Sequence, residues 1–165
     1  MSQEIYQIRE MRSDEKNILV DMLYEAIFQP DEKNLLPREI IQRPEIKIYI
    51  EDFGKEDDYC LVAEVTGKIV GAVWVRILSG PIKGYGYINP ETPEFSISLL
   101  KEYRNQGIGS ALMNKMIQYL YEKGYKKASL SVSKKNYAFK LYQNLGFRIV
   151  NEQEEDYIML LEIQK

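Results

Sequence analysis

The chain has 165 residues, no histidine, one cysteine, and a formal net charge of −3 from 22 basic and 25 acidic side chains. These counts exclude imidazole-based catalytic pairs, histidine metal ligands, an intrachain disulfide and thiolate metal clusters, so we expect no metal. The length predicts a single domain over residues 1–165, and the mild negative charge argues against nucleic acid or an anionic membrane as a partner. Neither a membrane span nor a signal peptide is visible, so we expect a soluble, cytoplasmic protein.

The N-terminal part predicts one strand followed by helices. Residues 4–9 are rich in β-prone side chains and predict an opening strand. Ser13 is expected to cap a first helix, which Pro30 ends. Pro37 fits the first turn of a second helix. Residues 45–52 are expected to continue as helix, although three isoleucines there also alternate as in a strand.

The central part predicts a hairpin, a long loop, a strand and a helix. Residues 59–65 and 69–77 are strand-like and flank a short turn, which is typical of a β-hairpin. Residues 79–93 are rich in glycine and proline and form a loop of the length that is often functional. Residues 94–100 alternate polar and apolar side chains as a strand does, and 107–122 form an amphipathic helix.

The C-terminal part predicts a strand, a short helix and a last hairpin. The strand covers residues 128–132 and the helix covers 136–144. Residues 147–150 and 157–163 pair around an acidic turn. The resulting order β-α-α-β-β-β-α-β-α-β-β indicates an α/β fold with a mixed sheet, partly antiparallel and partly parallel.

A glycine-containing segment at the start of the long helix is the most informative motif. It reads Arg104-Asn105-Gln106-Gly107-Ile108-Gly109 and follows a predicted strand. Glycines allow close approach to the backbone, and the free amides and positive dipole end of a helix favour a phosphate. The P-loop pattern fails because Ser110-Ala111 follows, and the dinucleotide fingerprint fails because residue 112 is leucine. On this segment alone, a glycine-rich helix entry that binds no ligand is an equal alternative.

Two later segments at matching spacing distinguish these alternatives. They are Ser131-Val132-Ser133-Lys134-Lys135-Asn136-Tyr137-Ala138 and Leu141-Tyr142-Gln143-Asn144-Leu145-Gly146-Phe147. With the glycine segment, they make residues 58–150 resemble the GNAT superfamily of acyl-CoA-dependent N-acetyltransferases. The resemblance implies a central, mostly antiparallel sheet with a parallel strand pair splayed around the cofactor, flanked by about four helices.

The resemblance also implies where acetyl-CoA binds. The strand before the glycine segment would pair with the pantetheine arm through the backbone of Ser98, Leu99 and Leu100. Asn136 matches a family asparagine that usually contacts the same arm. The pyrophosphate would be held by the backbone amides of the turn, namely those of Gln106, Gly107, Ile108, Gly109, Ser110 and Ala111.

Two further residues match catalytic positions of the family. Tyr142 matches a tyrosine that lies near the thioester sulfur and often protonates the departing thiolate. Glu94 lies where many members place the carboxylate that takes a proton from the amine, often through water. Because the chain has no histidine, proton transfer would fall to these two groups, to another carboxylate or phenol, or to water.

Several of these residues also have purely structural interpretations. Tyr142 lies on an apolar helix stripe, Glu94 could be a solvated residue at a strand entry, and Asn136 could be a helix N-cap. Cys60 in an apolar strand is interpreted as a buried structural thiol. The acidic residues of 152–156 are interpreted as a solvated turn.

The functional expectation is an N-acetyltransferase that moves acetyl from acetyl-CoA to a primary amine by direct attack, with no covalent enzyme intermediate. A non-catalytic acyl-CoA sensor on the same fold, and a purely structural interaction domain, are the alternatives. The acceptor is a small-molecule or peptide amine, and the acidic excess is compatible with a cationic one. The resemblance also allows a homodimer.

Overall fold

A computed structural model describes residues 5–164, which form one seven-stranded sheet of order β1-β2-β3-β4-β5-β7-β6. All neighbouring strands are antiparallel except β4 and β5, which are parallel. The strands are β1 (Gln7–Glu10), β2 (Tyr59–Val65), β3 (Lys68–Arg76), β4 (Glu94–Leu99), β5 (Lys127–Ser133), β6 (Arg148–Glu152) and β7 (Asp156–Glu162). The α-helices are α1 (Ile18–Ala26), α2 (Pro44–Lys47), α3 (Ile108–Glu122) and α4 (Ala138–Asn144). The predicted mixed α/β fold is therefore confirmed.

The N-terminus differs from the sequence prediction in how its first helix begins. The predicted opening strand starts at residue 4, outside the described residues, and its described part is β1. Ser13 does not cap α1, because it lies inside a short 3₁₀ turn. Glu15 closes this turn by accepting from the Arg12 amide at 2.8 Å, and Arg9 binds the same carboxylate. The α-helix then begins only at Ile18.

The second predicted helix is divided into two short pieces. Residues Arg38–Gln42 form a 3₁₀ helix, and Pro44 begins α2. Pro44 occupies the first helical turn, where its missing N–H is not needed. The backbone continues as helical turns after Lys47, with the Glu51 amide 2.9 Å from the Lys47 carbonyl oxygen. The isoleucine alternation in this stretch therefore does not form a strand.

The sheet buries both of its faces under different helices. On one face, α1 packs against β3 and β4 and buries Leu19, Met22 and Leu23 beside the fully buried Trp74. On the other face, α3 buries a separate stripe. That stripe consists of Ile108, Leu112, Met113, Met116 and Leu120. Each such side chain stabilises the fold by roughly 1.5–3 kcal/mol relative to an exposed position, so both helices are held mainly by burial.

The parallel strands β4 and β5 pair at one position only and then separate. Glu94 lies opposite Ser129, and the Ser129 amide donates to the Pro93 carbonyl oxygen at 2.9 Å. No other residue pair joins these strands within residues 5–164. The separation leaves a V-shaped opening in the middle of the sheet, with Glu94 at its apex. The splayed parallel pair that the resemblance implies is therefore present.

Candidate active site

A cavity of about 620 Å³ lies at the opening between β4 and β5. Its lining brings together Glu94 from β4, Tyr142 from α4 and Asn136 from the turn before α4. The C-terminal end of α1 and Tyr85 of the 79–93 loop also contribute to the wall. The structure thus places three of the predicted site residues around one space, although they lie far apart in the sequence.

The Glu94 carboxylate is buried, with only 4% of the residue exposed. Its Oε2 atom accepts from the Tyr49 hydroxyl at 2.5 Å and from the Gly86 amide at 3.0 Å. Its Oε1 atom is buried and has no hydrogen-bond partner among residues 5–164. Since a buried, unsatisfied carboxylate oxygen is unfavourable, Glu94 has the character of a functional group rather than a structural one.

Burial raises the pKa of Glu94 from its ordinary value to about 7. Desolvation is the largest cause, because it disfavours the charged carboxylate. The hydrogen bonds from Tyr49 and Gly86 act in the opposite direction and favour the ionised form. A carboxyl group with a pKa near 7 is matched to proton transfer at neutral pH, which an ordinary surface glutamate is not.

Two glycines of the 79–93 loop make room for this carboxylate. A Cβ atom on Gly84 would lie 2.0 Å from Glu94 Oε1. A Cβ atom on Gly86 would lie 2.7 Å from the carbonyl carbon of Leu130. The Gly86 carbonyl oxygen accepts from the Ser129 hydroxyl at 2.7 Å. The loop is thus fixed to the apex of the V, and its glycines permit the close approach that Glu94 needs.

Tyr142 and Asn136 are placed on the cavity by the start and body of α4. Tyr142 is 7% exposed, and its ring meets Phe147 edge to face at 6.0 Å between centroids. Burial raises the pKa of its phenol, so the hydroxyl stays protonated at neutral pH. The Asn136 Oδ1 atom accepts from the amide of Ala138, the first residue of α4, at 2.9 Å, although the N-cap position itself is Tyr137. Both side chains therefore make structural contacts and also line the cavity.

The backbone groups of β4 that face the opening differ from those that face β3. The amide of Leu100, just past the strand, donates to the Val70 carbonyl oxygen of β3 at 2.8 Å. Because backbone groups alternate along a strand, the Ser98 amide also points to β3, whereas the amides of Ile97 and Leu99 point to the opening. The Ser98 hydroxyl is directed to Met22 Sδ at 3.3 Å. Leu99 is therefore the one of the three predicted strand residues whose amide faces the opening.

The turn before α3 has the geometry that an anion site requires. Gly107 is the N-cap with φ of +85°, a conformation that glycine adopts readily. The first intrahelical bond runs from the Ala111 amide to the Gly107 carbonyl oxygen, at 3.1 Å. The amides of Ile108, Gly109 and Ser110 precede it and have no acceptor within the helix. Gln106 lies exposed in the turn, and none of the residues 106–111 lines the 620 Å³ cavity.

Sequence reasoning missed three contributors to the cavity wall. Tyr49 lies in the ambiguous stretch 45–52, and its contact with Glu94 spans 45 positions of the chain. Ile97 of β4 is the second contributor. The third is the acidic turn, which is exposed as interpreted and whose residues 154–156 also line the cavity. Tyr85 of the 79–93 loop lines the cavity as well, whereas Trp74 is fully buried in the core.

Two classes of feature are missing from the part of the chain that the structure describes. Over residues 5–164, no helix has the length and apolar character needed to cross a bilayer. Within the same range, no three histidine, cysteine or acidic side chains are grouped so that they could hold a metal ion.

Known proteins share both the sequence pattern and the architecture. The model of the acetyltransferase (GNAT) family matches residues 20–147. An uncharacterized N-acetyltransferase of Archaeoglobus fulgidus is 28% identical over 134 residues, which cover 78% of this chain and 84% of that protein. N-acetyltransferase family 8 member 3 of Mus musculus is 31% identical over 101 residues. Those residues are 61% of this chain and 43% of the mouse protein, so the match spans less than half of that relative.

A solved structure supports the same assignment at the level of the fold. The PaiA N-acetyltransferase of Thermoplasma acidophilum, solved in complex with coenzyme A, superposes with a TM-score of 0.69 at 18% identity. The superposition covers 96% of this chain and 99% of that one. With the family model spanning most of the chain, and with the V-shaped opening and the glycine turn in place, the chain belongs to the GNAT family of acetyltransferases.

Proposed function

We propose that the protein is an N-acetyltransferase that transfers the acetyl group of acetyl-CoA to a primary amine by direct attack. The observation that carries the proposal is the convergence of Glu94, Asn136 and Tyr142 on one cavity at the opening between β4 and β5. Family membership supports the reaction class. Acetyl-CoA supplies an activated acetyl thioester, and the residues of the chain bind it, orient it and move protons.

Binding of the donor substrate is assigned to the backbone. The amides of Ile108, Gly109 and Ser110 at the positive end of α3 suit the pyrophosphate. The amides of Ile97 and Leu99 suit the pantetheine arm, since they face the opening and have no partner strand there. Asn136 retains its side-chain amide group for the same arm, because only its Oδ1 atom is used in the bond from the Ala138 amide.

Proton transfer is assigned to two side chains. Glu94 accepts the proton of the ammonium group, directly or through one water, because a protonated amine has no lone pair with which to attack. The Leu99 amide can donate to the oxygen that becomes negative at the thioester carbonyl. The Tyr142 hydroxyl then gives its proton to the departing thiolate. No residue forms a covalent intermediate, and Cys60, which is buried in β2, takes no part.

The acceptor is assigned to the part of the cavity between α1 and the β6–β7 turn. Leu23, Ile27 and Phe28 contribute apolar side chains to the wall, and residues 154–156 contribute carboxylates. Such a wall suits a cationic small-molecule amine or a peptide amine.

A transfer assay tests the proposal. Purified protein is mixed with acetyl-CoA and a panel of polyamines, aminoglycosides and peptides, and release of the CoA thiol is measured. We expect release with at least one amine and acetylation of that amine by mass spectrometry. Calorimetry that detects no acetyl-CoA binding at millimolar concentration would overturn the proposal. Binding without transfer across the panel would instead identify the non-catalytic sensor.

A further inference from the structure

We propose that Tyr49 is a positioning residue for the catalytic carboxylate, which it orients through a direct hydrogen bond. The proposal rests on the proposed function, because it assigns Tyr49 a role in the proton transfer that Glu94 performs. Tyr49 follows α2, lines the same cavity as Glu94 and is 45 positions away from it in the chain. The contact between the two side chains is therefore a long-range one and not part of the strand pairing of β4.

The Tyr49 hydroxyl is held by two hydrogen bonds. It donates to Glu94 Oε2 at 2.5 Å and accepts from the Tyr85 amide at 2.7 Å. The rings of Tyr49 and Tyr85 stack with 6.4 Å between their centroids. A phenol that already accepts from a backbone amide has its proton directed towards the carboxylate. One hydroxyl group thus links the helical turn, the 79–93 loop and the base.

The backbone around Tyr49 is itself anchored to β3. Trp74 Nε1 donates to the Tyr49 carbonyl oxygen at 3.0 Å. Arg76 donates to the carbonyl oxygens of Ile48 at 2.8 Å and of Glu51 at 2.7 Å. Both side chains are nearly fully buried, so the anchors are shielded from water. The backbone that carries Tyr49 is consequently held by the core, and its hydroxyl is held in addition by the Tyr85 amide of the 79–93 loop.

The hydrogen bonds leave the two carboxylate oxygens unequal. Oε2 receives both protein donors, whereas Oε1 receives none within residues 5–164. The bond from Tyr49 favours the ionised form of Glu94 and so holds its pKa lower than burial alone would. Without the bond from Tyr49, the carboxylate would keep only the Gly86 amide as a donor. Its orientation would be less restricted and its ionised form less stabilised.

Other ionisable groups near Glu94 do not replace this bond. Arg76 lies directly opposite on β3, but its Nε atom is paired with the buried Asp58 carboxylate at 3.1 Å. Tyr85 contributes its backbone amide to Tyr49 and not to Glu94. The remaining ionisable groups that line the same cavity are Tyr142, Lys134, Lys135, Glu154, Glu155 and Asp156. None of these groups hydrogen-bonds to the Glu94 carboxylate among the described residues.

The test is Tyr49→Phe, which removes the hydroxyl and keeps the ring. We expect kcat/KM for the acceptor at pH 7 to fall about tenfold or more, as for loss of a hydrogen bond to a charged group. We expect the acid limb of its pH profile to move to higher pH, because the pKa of Glu94 rises. The affinity for acetyl-CoA measured by calorimetry should stay unchanged. Tyr125→Phe is the matched control, because it removes a phenol that donates to Asp57 away from the cavity.

Three results would overturn the proposal. One is an unchanged kcat/KM and pH profile in Tyr49→Phe. Another is an equal loss at every pH with the acid limb in place, which indicates a structural role only. The third is an equal loss in Tyr125→Phe.

Loss of folding in Tyr49→Phe is checked by its melting temperature, and Trp74→Phe then tests the same anchor by removing the bond to the Tyr49 carbonyl. Full activity of Glu94→Gln would contradict the assignment of the base and the positioning role together, whereas an unchanged rate in Tyr49→Phe with an inactive Glu94→Gln contradicts only the positioning role. Absence of acetyl-CoA binding by the wild type would contradict the proposed function itself.

Discussion

At the scale of single residues, the site depends on a carboxylate kept in an unfavourable place. Glu94 is buried at the apex of the V, with one oxygen bonded twice and the other left without a protein donor. Since an apolar or amide side chain would be more stable here, the buried carboxylate supports the proposal that Glu94 is the proton acceptor of the reaction. Its raised pKa would connect its burial with that proposed role.

Glu94→Gln should lower kcat/KM by about 10²–10⁴-fold, the usual contribution of a general base. In the wild type, kcat/KM should rise with pH through about 7, because the base must be deprotonated to act. Initial rates from pH 5.5 to 9 measure both effects. Glu91→Gln is the control, since Glu91 is an exposed carboxylate of the same loop. A rate that does not depend on pH between 6 and 8 would assign the base to another group.

The same substitution has a predictable effect on stability. The pKa of Glu94 is raised in the folded state, so its stabilising contribution is complete below its unfolded pKa and is lost as the pH rises through about 7. Glu94→Gln carries no such titration. We therefore expect the melting temperature of the variant, measured relative to that of the wild type, to increase as the pH is raised from 5 to 8.

Tyr142→Phe should lower kcat much more than it weakens acetyl-CoA binding, because its hydroxyl acts on the departing thiolate and not on the bound ground state. The ring packing against Phe147 is retained in the variant. Single-turnover rates and calorimetry measure the two quantities separately. An unchanged kcat would remove the hydroxyl from the mechanism.

At the scale of elements, the 79–93 loop acts as the outer wall of the base. Gly84 and Gly86 approach β4 and β5 so closely that a side chain has no room, as the 2.7 Å contact at Gly86 illustrates. The loop is joined to β5 through the Ser129 hydroxyl and to Glu94 through the Gly86 amide. The burial of the carboxylate, and with it the raised pKa, is therefore a property of the loop as much as of the strand.

Gly86→Ala should destabilise the fold by about 1–3 kcal/mol, because the new methyl group meets the backbone of β5. Gly80→Ala is the matched control in the same loop, since a Cβ atom there has no neighbour within 4 Å. Urea denaturation of the two variants measures the free energy of unfolding. Equal stability of both would show that β5 can shift to accommodate the methyl group.

The sequence predicts local features of these elements well and their long-range contacts poorly. The alternation in 94–100 and the glycine turn place β4 and α3 correctly, because both patterns act over a few residues. The contact between Tyr49 and Glu94 depends on how a short helical turn folds over β3, and no local pattern encodes it. The sequence likewise shows that the turn between β6 and β7 is acidic but not where it lies. The order of the strands in the sheet brings this turn to the cavity.

At the scale of the whole molecule, the sheet separates the glycine turn, which we propose binds the donor, from the part of the cavity that we propose takes the acceptor. The glycine turn belongs to α3, on one face, and α1 with Tyr49 covers the other. The cavity joins the two through the gap between β4 and β5. Binding of a ligand across this gap connects parts of the sheet that otherwise share a single residue pair.

Coenzyme A should therefore raise the melting temperature, because it binds only the folded sheet. At a ligand concentration of 100 times Kd the expected gain in stability is about 2.7 kcal/mol. Differential scanning fluorimetry with increasing coenzyme A measures it. Adenosine is the control, since it lacks the pyrophosphate and the pantetheine arm. A melting temperature that does not respond to coenzyme A contradicts binding across the gap.

The single Glu94–Ser129 pairing has a mechanical consequence. A change in the angle between β4 and β5 would break no further ladder bond between them, although β5 would carry β7 with it through their seven paired residues. In such a change Ser133, at the far end of β5, would be displaced more than Ser129. Glu94, the proposed base, therefore lies where the displacement would be smallest.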